Sequence, residues 1–135
     1  MATINGTNNN DNLSGTSGDD AIEGRNGADT LSGLGGRDKL KGGNGNDVLY
    51  GGNHADTLIG GDGRDTFVFS QSGLFDTIKD FDPVKDTIVF QFDGIVGASW
   101  NNTTDMLSVV YEDLPGDPVV LIDGGGFTFD NFVFG

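Results

Sequence analysis

The chain has 135 residues, with 21 acidic side chains against 7 basic ones, a net charge of −14, 24 glycines and no cysteine. That charge argues against nucleic acid and anionic membrane surfaces as partners. The lack of Cys excludes disulfide and thiol chemistry, no apolar run is long enough for a membrane-spanning helix, and the length allows one domain or one repeat array with a cap.

Met1-Ala2-Thr3-Ile4 leads straight into a repeat, with no signal-peptide pattern. From Gly6 to Val68 the sequence divides into seven nonapeptides: GTNNNDNLS, GTSGDDAIE, GRNGADTLS, GLGGRDKLK, GGNGNDVLY, GGNHADTLI and GGDGRDTFV. Position 1 is always Gly. Position 6 is always Asp: Asp11, Asp20, Asp29, Asp38, Asp47, Asp56 and Asp65. Position 8 is always bulky and apolar: Leu13, Ile22, Leu31, Leu40, Leu49, Leu58 and Phe67. A short fixed period without insertions marks a solenoid whose units stack on one another.

Six residues rich in Gly, Asn and Asp make a turn, and three residues centred on an apolar one make a short strand. One apolar residue in nine buries little, so two thin sheets must face each other and share a core. Successive nonapeptides then alternate between two parallel sheets, with eighteen residues per turn and three and a half turns in all. With parallel strands ~4.8 Å apart the repeat stretch is about 17 Å long. Asp11, Asp29, Asp47 and Asp65 stack along one edge, and Asp20, Asp38 and Asp56 along the other. Carboxylates in such columns repel one another, and Gly-rich turns lose much entropy on ordering. The stretch therefore needs a cation between its turns. Carboxylate with backbone carbonyl is the ligand set of a hard ion, Ca²⁺ foremost.

The nonapeptide resembles the GGxGxDxUx repeat of RTX proteins, and the fifth and seventh copies match it in full. The resemblance implies a parallel β-roll with each Ca²⁺ between turn n and turn n+2. One turn gives the carbonyls of positions 2 and 4 and its Asp; the other gives the carbonyls of positions 1 and 3 and its Asp. Five sites are implied on this pattern. On one edge, Thr7, Asn9 and Asp11 pair with Gly24, Asn26 and Asp29. Next, Arg25, Gly27 and Asp29 pair with Gly42, Asn44 and Asp47. Then Gly43, Gly45 and Asp47 pair with Gly60, Asp62 and Asp65. On the other edge, Thr16, Gly18 and Asp20 pair with Gly33, Gly35 and Asp38. Finally, Leu34, Gly36 and Asp38 pair with Gly51, Asn53 and Asp56. Interior Asp residues are expected to bridge two ions, one per oxygen. Position 2 departs from Gly at Thr7, Thr16, Arg25 and Leu34, and position 4 at Asn9 and His54. A positive φ does not come free at position 2, whereas Asn and His at position 4 tolerate the left-handed region better than most; the first site, at the fraying end, is expected to be the weakest.

Residues 69–135 lose the nonapeptide. FVFS (67–70), DTIKDF (76–81), DTIVFQF (86–92), SVVYE (108–112), VVLID (119–123), FTF (127–129) and FVF (132–134) read as strands between Gly-, Pro- and Asp-rich separators. The pattern predicts antiparallel hairpins forming a cap. All ten Phe lie from Phe67 onward. The run Asp76-Thr77-Ile78-Lys79-Asp80-Phe81, then Asp86-Thr87-Ile88, resembles the segment after the roll in serralysin-type proteases and mannuronan epimerase R-modules. That resemblance implies Asp76 as a ligand of a last Ca²⁺, with Asp80 and Asp82 as weaker candidates. The final Asp130-Asn131-Phe132-Val133-Phe134-Gly135 resembles the end of a type I secretion signal.

No nucleophile with a base, phosphate loop or His-rich zinc motif is present in the sequence, so no enzymatic activity is expected. The prediction is an all-β chain: a parallel β-roll of two parallel sheets over residues 1–68 and an antiparallel β cap over 69–135. About five or more Ca²⁺ ions are expected to fold it as a monomer after type I export to the cell exterior. Nucleic acid binding and membrane insertion are not expected. A second reading is a module for an anionic polysaccharide, with Arg25, Arg37, Lys39, Lys41 and Arg64 as a basic stripe. A third is the tail of a secreted hydrolase or epimerase.

Overall fold

The computed structural model describes residues 1–70, 76–91, 95–101, 106–111, 119–122 and 132–134, the last four segments as backbone pairing only. Expected strand 127–129 lies outside these residues, as do the side chain of Trp100 and residues Asp130 and Asn131.

Two sheets carry the chain. The first holds β1 (Ala2–Asn5), β3 (Asp20–Asn26), β5 (Lys39–Asn44), β7 (Thr57–Asp62) and β9 (Thr77–Ile78) side by side. The second holds β2 (Asn12–Ser14), β4 (Thr30–Ser32), β6 (Val48–Tyr50), β8 (Thr66–Phe69) and β10 (Thr87–Phe90). Every neighbour pair among these ten strands is parallel. The register is the nonapeptide frame: Leu13 pairs with Leu31, Leu31 with Leu49, and Leu49 with Phe67. On the other sheet Ile4, Ile22, Leu40 and Leu58 follow one another.

Strand side chains alternate, so the residue at position 8 points inward while positions 7 and 9 face out. The interior is one strip made of both ladders. Ile22, Leu31, Leu40, Leu49, Leu58 and Phe67 are buried, and Ile4 and Leu13 cover its first end. Toward the other end the strip thickens with aromatic rings: Phe67 lies 6.1 Å from Phe81 and Phe69 5.7 Å from Phe90, centroid to centroid.

The roll is longer than the nonapeptides. β1 forms a rung before the first repeat, and β9 and β10 form rungs after the last. The segments expected as antiparallel hairpins at 76–81 and 86–92 instead pair in parallel: Leu58 with Ile78 and Phe67 with Ile88. The reason is the Asp-Thr-apolar triplet. It occurs at 29–31, 56–58 and 65–67 and again at 76–78 and 86–88, so the inward residue and its Asp keep their places. The two and three extra residues are absorbed between rungs. Among the described residues, antiparallel pairing is confined to β11 (Ile95–Asn101) with β12 (Met106–Tyr111) and β12 with β13 (Val119–Ile122). β13 joins β9 in parallel, and β14 (Phe132–Phe134) joins β10 in parallel.

Because each interior position is fully enclosed and the strip is one residue wide, truncation cannot be repacked. Leu40→Ala is expected to lower the unfolding free energy by about 2–5 kcal/mol, measured by urea denaturation in saturating Ca²⁺. A loss no larger than that of a surface change such as Lys39→Ala would contradict this account of the core.

Candidate metal centre

Position 6 has the same strand parity as position 8, two residues on, so its carboxylate also turns inward. The result is two columns of buried acids. One runs Asp11, Asp29, Asp47, Asp65, Asp86; the other runs Asp20, Asp38, Asp56, Asp76. All but Asp11 are buried. The linkage within a column is regular. The backbone N–H of one Asp donates to Oδ1 of the next, at 2.7 Å for Asp11 to Asp29, 2.8 Å for Asp29 to Asp47 and 2.9 Å for Asp47 to Asp65. On the other edge Asp20 donates to Asp38 at 2.7 Å and Asp38 to Asp56 at 2.8 Å. Both columns run past the nonapeptides, with Asp56 donating to Asp76 at 2.8 Å and Asp65 to Asp86 at 2.9 Å.

The other carboxylate oxygen is treated differently. Oδ2 of Asp29, Asp38, Asp47, Asp56, Asp65 and Asp76 is buried and has no hydrogen-bond donor. A buried charge without a partner is costly enough that it is neutralised, paired or bound to a metal. Each such oxygen sits in a corner that only glycine permits. A methyl on Gly24 would overlap Asp29 Oδ2 and come within 2.7 Å of the Gly42 carbonyl oxygen, and one on Gly42 would overlap Asp47 Oδ2 and lie 2.7 Å from the Gly60 carbonyl. Gly51 faces two of these oxygens at once, Asp56 Oδ2 at 2.7 Å and Asp76 Oδ2 at 2.8 Å from its would-be Cβ.

Main-chain oxygens line the same edges. The carbonyls of Arg25, Gly27, Leu34, Gly43 and Gly45 each lie against a left-handed glycine of the next turn: Gly43, Gly45, Gly52, Gly61 and Gly63. Some of the edge carbonyls also accept amides: Leu34 from the Asn53 N–H at 3.0 Å, Asn44 from the Gly27 N–H at 2.9 Å and Asp62 from the Gly45 N–H at 2.8 Å. A carbonyl so engaged keeps a second lone pair. No cluster of three or more His, Cys, Asp or Glu side chains forms among the described residues. Any ion here must draw on one or two carboxylates and on carbonyls. That all-oxygen, flexible donor set fits Ca²⁺.

Oδ1 of Asp29, Asp38, Asp47, Asp56, Asp65 and Asp76 accepts an amide, and Oδ2 of each is left without a donor. Asp76 joins the second column, accepting the Asp56 N–H. Asp80 does not: its Oδ1 and Oδ2 accept the N–H groups of Gly60 and Gly61 at 2.9 and 2.7 Å, clamping the last nonapeptide turn. Asp82 accepts the Val84 N–H at 2.9 Å and pairs with Lys85. Asp86, absent from the expected ligands, continues the first column; its signal was the repeated Asp-Thr-Ile. Thr7 and Thr16 turn their amides and hydroxyls onto Asp11 and Asp20 instead of presenting a left-handed turn. Arg25, Leu34 and His54 do adopt positive φ, at 83°, 72° and 78°. Of the basic residues, Arg25, Lys39 and Lys41 lie on the first sheet, where Lys41 binds Glu23 at 3.0 Å and lines a shallow groove with Arg25, while Arg64 and Arg37 lie in turns on opposite edges.

The RTX calcium-binding nonapeptide repeat, in four copies, matches residues 5–40 and 32–67. The chain belongs to the RTX calcium-binding repeat family. It is a calcium-binding β-roll module, and its buried Asp series is what that family's chemistry requires. Among solved structures, the AlgE6R2 subunit of the Azotobacter vinelandii mannuronan C5-epimerase is similar at 33% identity, with 97% of this chain and 91% of that one covered and a TM-score of 0.41. The AlgE6R3 subunit of the same enzyme is 30% identical over 95% of this chain and 80% of that one, with a TM-score of 0.36. The extracellular lipase LipA of Serratia marcescens is 17% identical over 97% of this chain and 40% of that one, with a TM-score of 0.46. No curated protein sequence matches this RTX chain.

Burial pushes the acids of the RTX roll upward: Asp56 and Asp65 to about 6 and Asp76 to about 7, with neighbouring carboxylates adding to the effect. Asp38, Asp47 and Asp86 move the same way, for the same first cause. Asp20 moves down, held chiefly by the Ala2 N–H. For the raised group the folded chain keeps protons that the unfolded chain releases. Without calcium, stability is therefore present at low pH and lost as pH rises through about 6 to 7. Calcium-free chain is expected to hold more β structure by circular dichroism at pH 5 than at pH 8, and the gap should close when Ca²⁺ is added. Equal spectra at both pH values without calcium would refute this.

Proposed function

We propose that calcium is the folding trigger of this RTX module: the ions seat at the uncapped carboxylates of the two Asp columns, and above the pH at which those acids ionise the roll closes only when they do. The six buried Oδ2 atoms without a donor carry this reading. In the absence of a cation, their mutual repulsion and desolvation oppose the closed turns. With one, each ion ties a carboxylate to carbonyls of the next turn, so binding free energy becomes folding free energy. The Oδ1 linkages run from turn to turn, so ordering one corner helps order the next, and binding is cooperative.

Such a chain stays unfolded where calcium is scarce and folds where it is abundant. This suits passage through a type I exporter in extended form followed by folding outside the cell, which is the route the RTX resemblance implies. The reading takes no reaction from the epimerase and lipase relatives. It takes no polysaccharide ligand from them either.

Calcium titration followed by circular dichroism tests the proposal. Chelated chain is expected to lack the parallel-sheet spectrum at pH 8, Ca²⁺ to restore it with a sigmoidal rise, and Mg²⁺ to fail because it demands a tighter octahedron and keeps its waters. A full spectrum in chelator at pH 8 would overturn it. Asp47→Asn, which removes a charge from the middle of one column, is expected to raise the calcium midpoint by about tenfold or more, ~1.4 kcal/mol. Lys39→Ala on the outer face should leave the midpoint in place.

A further inference from the structure

The corners of the seven nonapeptides come in two forms, and the residue at position 2 sorts them. In five repeats position 2 is left-handed: Arg25 (φ 83°), Leu34 (72°), Gly43 (118°), Gly52 (110°) and Gly61 (101°). In those same five repeats, the Asp at position 6 has an Oδ2 with no donor. In the other two repeats, position 2 is Thr and is not left-handed. A β-branched residue is a genuine outlier at positive φ, so Thr resists the form that Gly takes freely.

The Thr corners close on themselves. The Thr7 N–H and hydroxyl donate to Asp11 Oδ2 at 2.6 and 2.9 Å, and those of Thr16 to Asp20 Oδ2 at 2.6 and 2.8 Å. Each hydroxyl oxygen in turn accepts the N–H of position 4, from Asn9 at 3.1 Å and from Gly18 at 3.2 Å. The same arrangement recurs beyond the nonapeptides. The Asp82 N–H donates to Asp86 Oδ2 at 2.8 Å, four residues on, and Asp82 Oδ1 accepts the Val84 N–H at 2.9 Å.

We propose that position 2 decides which corners take a cation, and that the corners of the first two repeats take none. The carboxylate oxygen that an ion would use there already has its donors. Those donors also turn their positive ends into the space a cation would need. Thr7 and Thr16 thus stand in for the metal at the first end of the roll, and Asp82 does so where the first column ends. Two of the five sites that the family pattern implies, those built on Asp11 and Asp20, are lost; the corners of Asp56 and Asp65, further along, have the uncapped form. With Asp29, Asp38, Asp47 and Asp76, these make six uncapped oxygens, shifted along the roll from the places the pattern implies. The inference rests on the calcium reading above.

Calcium stoichiometry of the whole chain, measured by equilibrium dialysis with metal analysis, tests it. The double variant Thr7→Gly/Thr16→Gly frees both corners and is expected to bind two more ions than wild type. Thr7→Ser/Thr16→Ser keeps the hydroxyl donors and should match wild type. Leu34→Thr should close an uncapped corner and bind one ion fewer. No rise in the double Gly variant overturns the inference; if that variant fails to fold, an unchanged count in Leu34→Thr overturns it instead. Wild-type chain that bound no calcium would sink the parent reading as well, whereas calcium binding that ignores these substitutions sinks this one alone.

Discussion

A carboxylate oxygen walled off from water, with no proton donor in reach, governs this molecule. The strand repeat puts it there. Position 6 and position 8 face the same way, so a sequence that buries a Leu must also bury the Asp two residues earlier. Oδ1 is satisfied by the amide of the neighbouring Asp, which leaves Oδ2 of Asp29, Asp38, Asp47, Asp56, Asp65 and Asp76 to be satisfied by something the chain does not supply. An ordinary fold would remove such groups. Here they recur at every uncapped corner, which makes sense only if an added charge completes them.

The hydrophobic strip and the acid columns depend on each other. One apolar side chain per nine residues buries too little to hold Gly-rich turns closed, given what ordering those turns costs in entropy. The turns in turn set the spacing that lets Leu31, Leu49 and Phe67 stack in one sheet and Ile22, Leu40 and Leu58 in the other. Where the acids are capped by the chain itself, at Thr7, Thr16 and Asp82, the strand geometry is unchanged. The corner is thus a module with two ways of neutralising one oxygen, chosen by whether position 2 can turn left-handed. Arg25 and Leu34 do so without being glycine, and a restrained αL backbone of this kind carries strain that the completed corner must offset.

The corners use main-chain oxygens and one kind of side chain, so the outward positions 7 and 9 are free to vary without disturbing them. Lys39, Lys41, Thr57 and Ile59 occupy such positions.

The sequence by itself determined the repeat frame, the two-sheet parallel roll, the inward residues at position 8 and the seven Asp residues at position 6. All of these follow from a strict nine-residue period and the two-residue alternation of a strand, which are local properties. Only the tertiary structure decided where the roll stops and which acids lack a partner. The strands at Thr77–Ile78 and Thr87–Phe90 were misread as hairpins because their Gly, Pro and Asp separators look like turns between antiparallel strands. What sets their direction is pairing with β7 and β8, some twenty residues earlier. In the same way Thr7 and Gly43 occupy one position in one pattern. Whether that position presents an amide to a carboxylate or turns away from it depends on backbone hand, which becomes visible only when the corner is folded against the next turn.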